Sequence, residues 1–310
     1  MSALNENANN FVGCEMSASG LKAVKIDLAG NVLASSRAGF NTEADPVPQI
    51  ADFFGGLQKE FGHFKMVGVA IPGLVEKAAG RVAYSANISA AAAREITSDI
   101  ESVTNTKLTL ENDANAAAFA EYKLGAGRGS KSMFYVTLGD GVGGSFIFDG
   151  VIWRGVSGFA GEFGYIAINS DGTRLEDVAS AANIARRTRN RFNQDNTSAL
   201  GKITDREIKF EDIIAAAKKK DEFAQLMLER TGTYVGTAVA SVINLLNVDK
   251  IVIGGEVMKA GSRVLDAINA RAKELSFGPS FRDTSIVAGE LGDLAAATGS
   301  ALIAAGSEIS

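Results

Sequence analysis

At 310 residues, 46% of them hydrophobic and 22% charged, the chain carries enough apolar side chains for two cores of ordinary size. Its net charge of -5 comes from interspersed signs, with no basic run longer than Lys218-Lys219-Lys220, which argues against nucleic acid or an anionic membrane as a partner. A single cysteine, Cys14, and a single histidine, His63, exclude an internal disulfide and a zinc site of nitrogen and sulfur ligands. The polar first ten residues lack a secretory pattern, and no apolar run reaches the roughly 18 residues of a membrane span, so a cytoplasmic protein is expected.

In chain order, Phe11 to Met16 reads as a strand, Ser17 to Gly20 as a small-residue loop and Leu21 to Asp27 as a second strand. Ala29-Gly30-Asn31 then turns the chain into a third strand from Val32. Pro46 to Phe61 has helical spacing with proline near its start, Met66 to Ile71 and Leu108 to Leu110 are apolar strands, and Asp113 to Leu124 is an alanine-rich helix. About 120 positions after the first meander the pattern recurs: Ser132 to Leu138, a glycine loop over Gly139 to Gly144, Ser145 to Phe148, a turn at Asp149-Gly150, and Val151 to Trp153. Val235, Val239, Val242, Ile243 and Leu246 keep helical spacing before the strand Ile251 to Ile253, which runs into Gly254-Gly255. Continuous apolar strands between helices give an α/β class with mainly parallel sheets. The repeat implies duplicated lobes: residues 1–113, then residues 114–293, with an alanine-rich helix in 294–310 returning to the first.

Several clusters carry chemistry, each with a structural alternative. Gly139-Asp140-Gly141-Val142-Gly143-Gly144 lets backbone amides approach an anion, or is a tight hairpin. Gly254-Gly255 leads from a strand into a helix, where an N-terminus can face a phosphate, or is a simple strand-to-helix turn. Glu111-Asn112-Asp113-Ala114-Asn115 lies where strand gives way to helix, the edge at which open α/β sheets bind ligands; Asp113 suits a catalytic base or an N-cap equally. Glu162 in Gly161-Glu162-Phe163-Gly164-Tyr165 fits hydroxyl recognition or an exposed turn, and Thr173 with Glu176 spells a capping box.

Together and in this order, these segments resemble the ROK family of bacterial sugar kinases and repressors, a branch of the actin-like, hexokinase-like ATPase fold. The resemblance runs from Phe11 almost to the end. It is carried by Leu110 to Ala117 through Gly125-Ala126-Gly127, the glycine loop, and Arg154-Gly155 to Gly164, with Ile71-Pro72-Gly73-Leu74-Val75, Asn87, Leu175-Glu176 and Ile251 to Gly255 in support. It implies a two-lobed fold around a cleft, an ATP- and Mg²⁺-dependent phosphoryl transfer to a hexose or amino sugar, and a homodimer. Asp113 would be the general base. Gly73, Asn87, Asn112, Glu162, Tyr165 and Glu176 would surround the sugar, while Glu15, Ser17, Ser19, Lys22, Gly139, Asp140, Gly141, Gly143, Gly254 and Gly255 would face the nucleotide.

Three departures mark this sequence off from the family pattern. The first phosphate loop, usually Asp-x-Gly-Gly-Thr, reads Glu15-Met16-Ser17-Ala18-Ser19, and Asp140 stands where Thr or Ser is usual. Tyr165 replaces the family's histidine, and the connection Asn169 to Arg174 lacks the zinc-binding cysteines, so no zinc is expected and Thr173 would cap the segment carrying Glu176. Tyr165 would donate to a sugar hydroxyl or pack beneath its loop. The altered phosphate loops set a second expectation beside the kinase: a sugar-binding or regulatory protein with little turnover. Polyphosphate as donor lacks a dense basic groove, and the ten residues before the first strand are too few for the helix-turn-helix of a repressor.

Overall fold

The computed structural model describes residues 10–18, 20–85, 90–192, 198–203 and 206–309. In chain order the elements are β1 (Phe11–Ser17), β2 (Gly20–Ile26), β3 (Val32–Ala38), α1 (Pro46–Phe61), β4 (Met66–Ile71), β5 (Leu74–Glu76), β6 (Arg81–Tyr84), α2 (Ala90–Thr104), β7 (Lys107–Asn112) and α3 (Asp113–Leu124). There follow β8 (Ser132–Leu138), β9 (Val142–Phe148), β10 (Val151–Trp153), α4 (Glu176–Ala179), α5 (Ala181–Phe192), α6 (Phe210–Lys218), α7 (Glu222–Leu246), β11 (Lys250–Gly254), α8 (Ser262–Leu275), α9 (Gly278–Asp283), β12 (Ser285–Ala288) and α10 (Ala295–Ile309). They form two compact units, one of Met1–Arg128, Gly150–Ala160 and Asp293–Ser310, the other of Gly129–Asp149 and Gly161–Gly292.

The first unit is built on a sheet of order β3-β2-β1-β4-β7. β1, β2 and β3 are antiparallel neighbours, and β4 and β7 run parallel to β1. Helix α1 forms because Pro46 is preset for a first turn and Asp45 accepts the Val47 N–H at 3.0 Å. Its apolar stripe, Ile50, Phe53, Phe54, Leu57 and Phe61, packs with Ile96 and Ile100 of α2 against the sheet, each full burial stabilising by about 1.5–3 kcal/mol. The opposite face receives α10, whose small residues bring helix backbone onto strand backbone. A Cβ on Gly13 or Gly68 would overlap the Ala297 or Ser300 carbonyl.

The second unit repeats the plan with the order β9-β8-β11-β12, β9 antiparallel to β8, and β11 and β12 parallel to it. Helix α7 starts where Asp221 accepts the Ala224 N–H at 2.9 Å and ends at the left-handed Asn247. It buries Val235, Val239, Val242 and Ile243 in the core. Among the described residues no helix is long and apolar enough to cross a membrane.

The ends of the two glycine- and serine-rich loops differ from the sequence reading. Pairing continues through Ser17 opposite Gly20, and the Ser17 hydroxyl donates to the Gly20 carbonyl at 3.1 Å, so the expected four-residue loop loses both of its ends to the strands. The glycine loop likewise ends at Gly141, because Val142, Gly143 and Gly144 pair with Leu138, Thr137 and Val136. Cross-strand hydrogen bonding, absent from composition, claims these residues.

Candidate active site

In the first unit, β4 and β7 end side by side with Ile71 opposite Asn112. Asn112, rather than Asp113, is the N-cap of α3: its side-chain oxygen accepts the Asn115 N–H at 3.0 Å. That settles the cap alternative for Asp113, which takes the first helical position. The Asn112 amide donates to the Gly73 carbonyl at 2.9 Å and to Asp113 Oδ1 at 3.1 Å, and the same Oδ1 accepts the Ala114 N–H at 2.9 Å. The half-buried Asp113 carboxylate is thus oriented by its neighbours at a helix N-terminus, where the dipole favours negative charge. Gly73 has φ +131, and a Cβ there would press on Ser85 at 3.0 Å; the Ser85 hydroxyl in turn donates to the Pro72 carbonyl at 2.7 Å.

Behind this pair lies Glu111, with only 3% of its side chain exposed. Its carboxylate accepts Arg154 at 2.5 Å and Asn115 Nδ2 at 3.1 Å, and Lys77 lies 3.5 Å away. This cluster was missed in the sequence, where the only signal is a charged residue ending an apolar strand.

Glu15 and Lys22 are direct cross-strand partners on β1 and β2, with a 3.2 Å ion pair. Burial pushes the Glu15 carboxyl above its ordinary range, opposed by the Lys22 charge. Ser17 is committed to the Gly20 carbonyl, while Ser19 and Asn87 lie outside the described residues.

The second unit collects the remaining glycines at one sheet edge. Gly143 and Gly254 both lie opposite Thr137, one on each side of β8. Gly255, at φ +89, passes so close to Leu138 that a Cβ would collide with its backbone. Gly139 lies beside Glu256, and Asp140 is exposed at the tip of the turn. Gly255 leads into a single 3₁₀ turn, Glu256–Ala260, and a second left-handed glycine, Gly261, separates that turn from α8. The helix N-terminus directly after the pair is therefore that of the short 3₁₀ turn, and the α-helix expected there starts only at Ser262.

Phe163, buried edge-on against Phe134 at 5.0 Å between ring centres, pins the turn that carries Glu162 and Tyr165. The protein around Glu162 and, after it, the like charge of Glu176 raise the Glu162 pKa. Glu176 accepts the Val142 N–H at 2.9 Å.

A model of the ROK family matches residues 11–307. The chain belongs to the ROK family. It is 32% identical over 278 residues to a glucokinase of Halalkalibacterium halodurans, covering 83% of each chain. Among solved structures, a ROK family glucokinase from Streptomyces griseus in complex with glucose and AMPPNP is similar with a TM-score of 0.84 and 27% identity, over 96% of this chain and 99% of that one. A ROK family transcriptional regulator, a homolog of the E. coli MLC protein, is similar with a TM-score of 0.82 and 26% identity, over 96% of this chain and 78% of that one. The fold is the actin-like hexokinase fold, on which the ROK family carries kinases and regulators alike.

In this ROK chain the connection between Tyr165 and Glu176 is held differently from the capping box expected for Thr173. Helix α4 begins at Glu176, which is thus its first residue rather than the third that a cap at Thr173 requires, and Asp177 takes the Arg174 N–H instead, at 3.1 Å. The Thr173 hydroxyl accepts Asn169 Nδ2 at 3.1 Å, and Ile168 N–H to Thr173 and Leu175 N–H to Ile166 close a small hairpin. Tyr165 is not packed beneath its loop: it is 56% exposed with the Arg174 guanidinium 4.5 Å over its ring, a cation–π contact. Among the described residues no group of three or more His, Cys, Asp or Glu could hold a metal ion.

Proposed function

We propose that this protein is an ATP-dependent kinase for a hydroxyl of a hexose or amino sugar, with Asp113 as general base, working in the cytoplasm as a homodimer. The observation that carries this reading is the Asn112-Asp113 pair, a carboxylate oriented by a neighbouring amide and by the Ala114 N–H at the carboxyl edge of a parallel sheet. Such a carboxylate suits a proton acceptor for the attacking hydroxyl, and phosphoryl transfer asks little else of the protein than alignment and charge neutralisation. Similarity to named glucokinases supports the sugar as acceptor. Gly73, Asn87 and Asn112 on the first unit, and Glu162, Tyr165 and Glu176 on the second, are assigned to sugar recognition.

The turn Gly139–Gly141 with Gly143, Gly254 and Gly255 fits the approach of nucleotide phosphates, because backbone amides of residues without a Cβ can come close to an anion. Asp140, exposed at its tip, is the residue that would face Mg²⁺, which neutralises phosphate charge when bound with ATP. Glu15, Ser17, Ser19 and Lys22 are assigned to the nucleotide from the first unit. The test is sugar-dependent ADP release with Mg²⁺-ATP over a panel of hexoses and N-acetylhexosamines, run beside Asp113→Asn.

A second reading, a sugar-binding protein with weak turnover, is favoured by the Glu15–Lys22 ion pair, which occupies the carboxylate of the first phosphate loop. Calorimetry that finds sugar affinity without Mg²⁺-nucleotide affinity would select it. For the homodimer, a monomeric mass in solution scattering at micromolar concentration would count against the assignment.

A further inference from the structure

Both ends of the glycine turn in the second unit hang from one short segment. The Gly139 carbonyl accepts the Ala181 N–H at 2.8 Å, and the Val142 N–H donates to Glu176 Oε2 at 2.9 Å. Inside the turn the Gly139 N–H donates to the Gly141 carbonyl at 2.9 Å. The fit leaves no slack: a Cβ on Gly141 would lie 2.9 Å from the same Glu176 oxygen, and one on Gly164 would lie 3.3 Å from Glu176 Cβ and overlap the Val142 carbonyl.

The segment is itself fixed from behind. Three successive carbonyls of α4 each accept a side-chain donor of α5: Glu176 from Asn183 at 2.9 Å, Asp177 from Arg186 at 2.9 Å and Val178 from Arg187 at 2.6 Å. The Glu176 carbonyl also accepts the Ser180 N–H at 3.3 Å, so backbone and side-chain donors together fill the end of this four-residue helix. Arg187 also reaches the Thr231 hydroxyl at 3.3 Å and lies 4.8 Å over the Tyr234 ring, which ties the arrangement to α7.

We propose that Glu176 is a positioning residue for the nucleotide turn: its carboxylate, set by Asn183, Arg186 and Arg187, holds the Val142 amide and couples the sugar-facing segment Glu162 to Glu176 with Gly139 to Gly141. The inference rests on the kinase reading for its purpose but on this unit's geometry for its existence. A hydroxyl ligand that draws on the Glu176 carboxylate would move or stiffen the turn that receives the phosphates. Gly141 is then glycine because any side chain would displace the carboxylate, not only because a phosphate must come close.

The test uses the whole chain without sugar, comparing wild type with Glu176→Gln, Glu176→Ala and Gly141→Ala. Gln retains an oxygen to accept the Val142 N–H, whereas Ala does not. Hydrogen–deuterium exchange of the Val142 amide should be protected in wild type and Gln and faster by roughly tenfold or more in Glu176→Ala. Calorimetry with Mg²⁺-AMPPNP should give affinity within about twofold of wild type for Gln and roughly tenfold weaker for both Ala variants. Wild-type exchange and affinity in Glu176→Ala would overturn the proposal, as would equal losses in Gln and Ala, which would indicate a charge effect alone. Should Glu176→Ala not fold, Gly141→Ala decides by the same two readouts. A wild type that binds no nucleotide would refute the kinase reading while leaving the Val142 exchange comparison to judge the coupling separately.

Discussion

Replacing Arg154 by alanine tests the cluster behind Asp113. Removing one partner of a buried ion pair leaves an uncompensated charge and typically costs about 3–5 kcal/mol. Here Glu111 is 3% exposed, but Arg154 is 27% exposed and Lys77, 3.5 Å from the same oxygen, keeps a positive charge nearby. Asn115 Nδ2 also continues to donate to Glu111. The expected loss is therefore below the usual range, about 2–3 kcal/mol, or roughly 5–10 °C in Tm for a unit of this size. Glu111→Gln should cost less, because the guanidinium it strands can hydrate, and the double variant Glu111→Gln with Arg154→Ala should fall short of the sum of the two single losses. Urea unfolding monitored by circular dichroism measures all three. A loss below about 0.5 kcal/mol in Arg154→Ala, or strict additivity in the double variant, would refute the reasoning.

Three other perturbations have defined outcomes. Gly68→Ala places a methyl against the Ser300 carbonyl of α10; since backbone must yield to backbone, a loss of about 1–3 kcal/mol or more is expected in thermal unfolding, and unchanged Tm would contradict this packing. The raised pKa of Glu162 means that the native state holds its proton more tightly than the unfolded chain, so this group lowers stability as pH rises from about 4.5 through the native value. If Glu162 recognises sugar hydroxyls as proposed, its ionised form would accept them, so sugar affinity should fall as pH drops through that native value, and Glu162→Gln should flatten the profile; an unchanged profile would remove the assignment. For Asp212, hydrogen bonding to Arg206 and the Lys209 amide, opposed by burial, lowers the pKa to about 2. Its stabilising effect is present above the unfolded value of about 3.9 and is lost as pH falls toward 2. Asp212→Asn should cost about 1 kcal/mol at pH 7 and a smaller amount near pH 2, where the native carboxyl is partly protonated; equal losses at both pH values would deny the linkage.

How far the sequence could be read depended on where the deciding interactions lie. Helices α1 and α3 and strands β4, β8 and β10 have the ends expected from the sequence, because their stop and start signals are local: Pro46 after Asp45, the Asn112 cap, and glycine at 62, 125 and 139. The borders of the two phosphate-loop candidates were not legible, since cross-strand pairing assigns Ser17, Gly20 and Val142 to strands whatever their residue type. The spacing of Thr173 and Glu176 promised a capping box that fails because the helix starts at Glu176 itself. Glu111 and Arg154 stand 43 positions apart, and Glu176 meets Val142 from 34 positions away. No local pattern announces either contact; both become visible only when folded strand ends bring them together.

The central claim rests on Asp113, and sugar-dependent ADP release by wild type and Asp113→Asn measures it most directly. The account predicts release with at least one hexose or amino sugar, a fall of about 10²–10⁴ in turnover for the variant, and sugar affinity retained by calorimetry. An Asp113→Asn variant that turns over at the wild-type rate would contradict it.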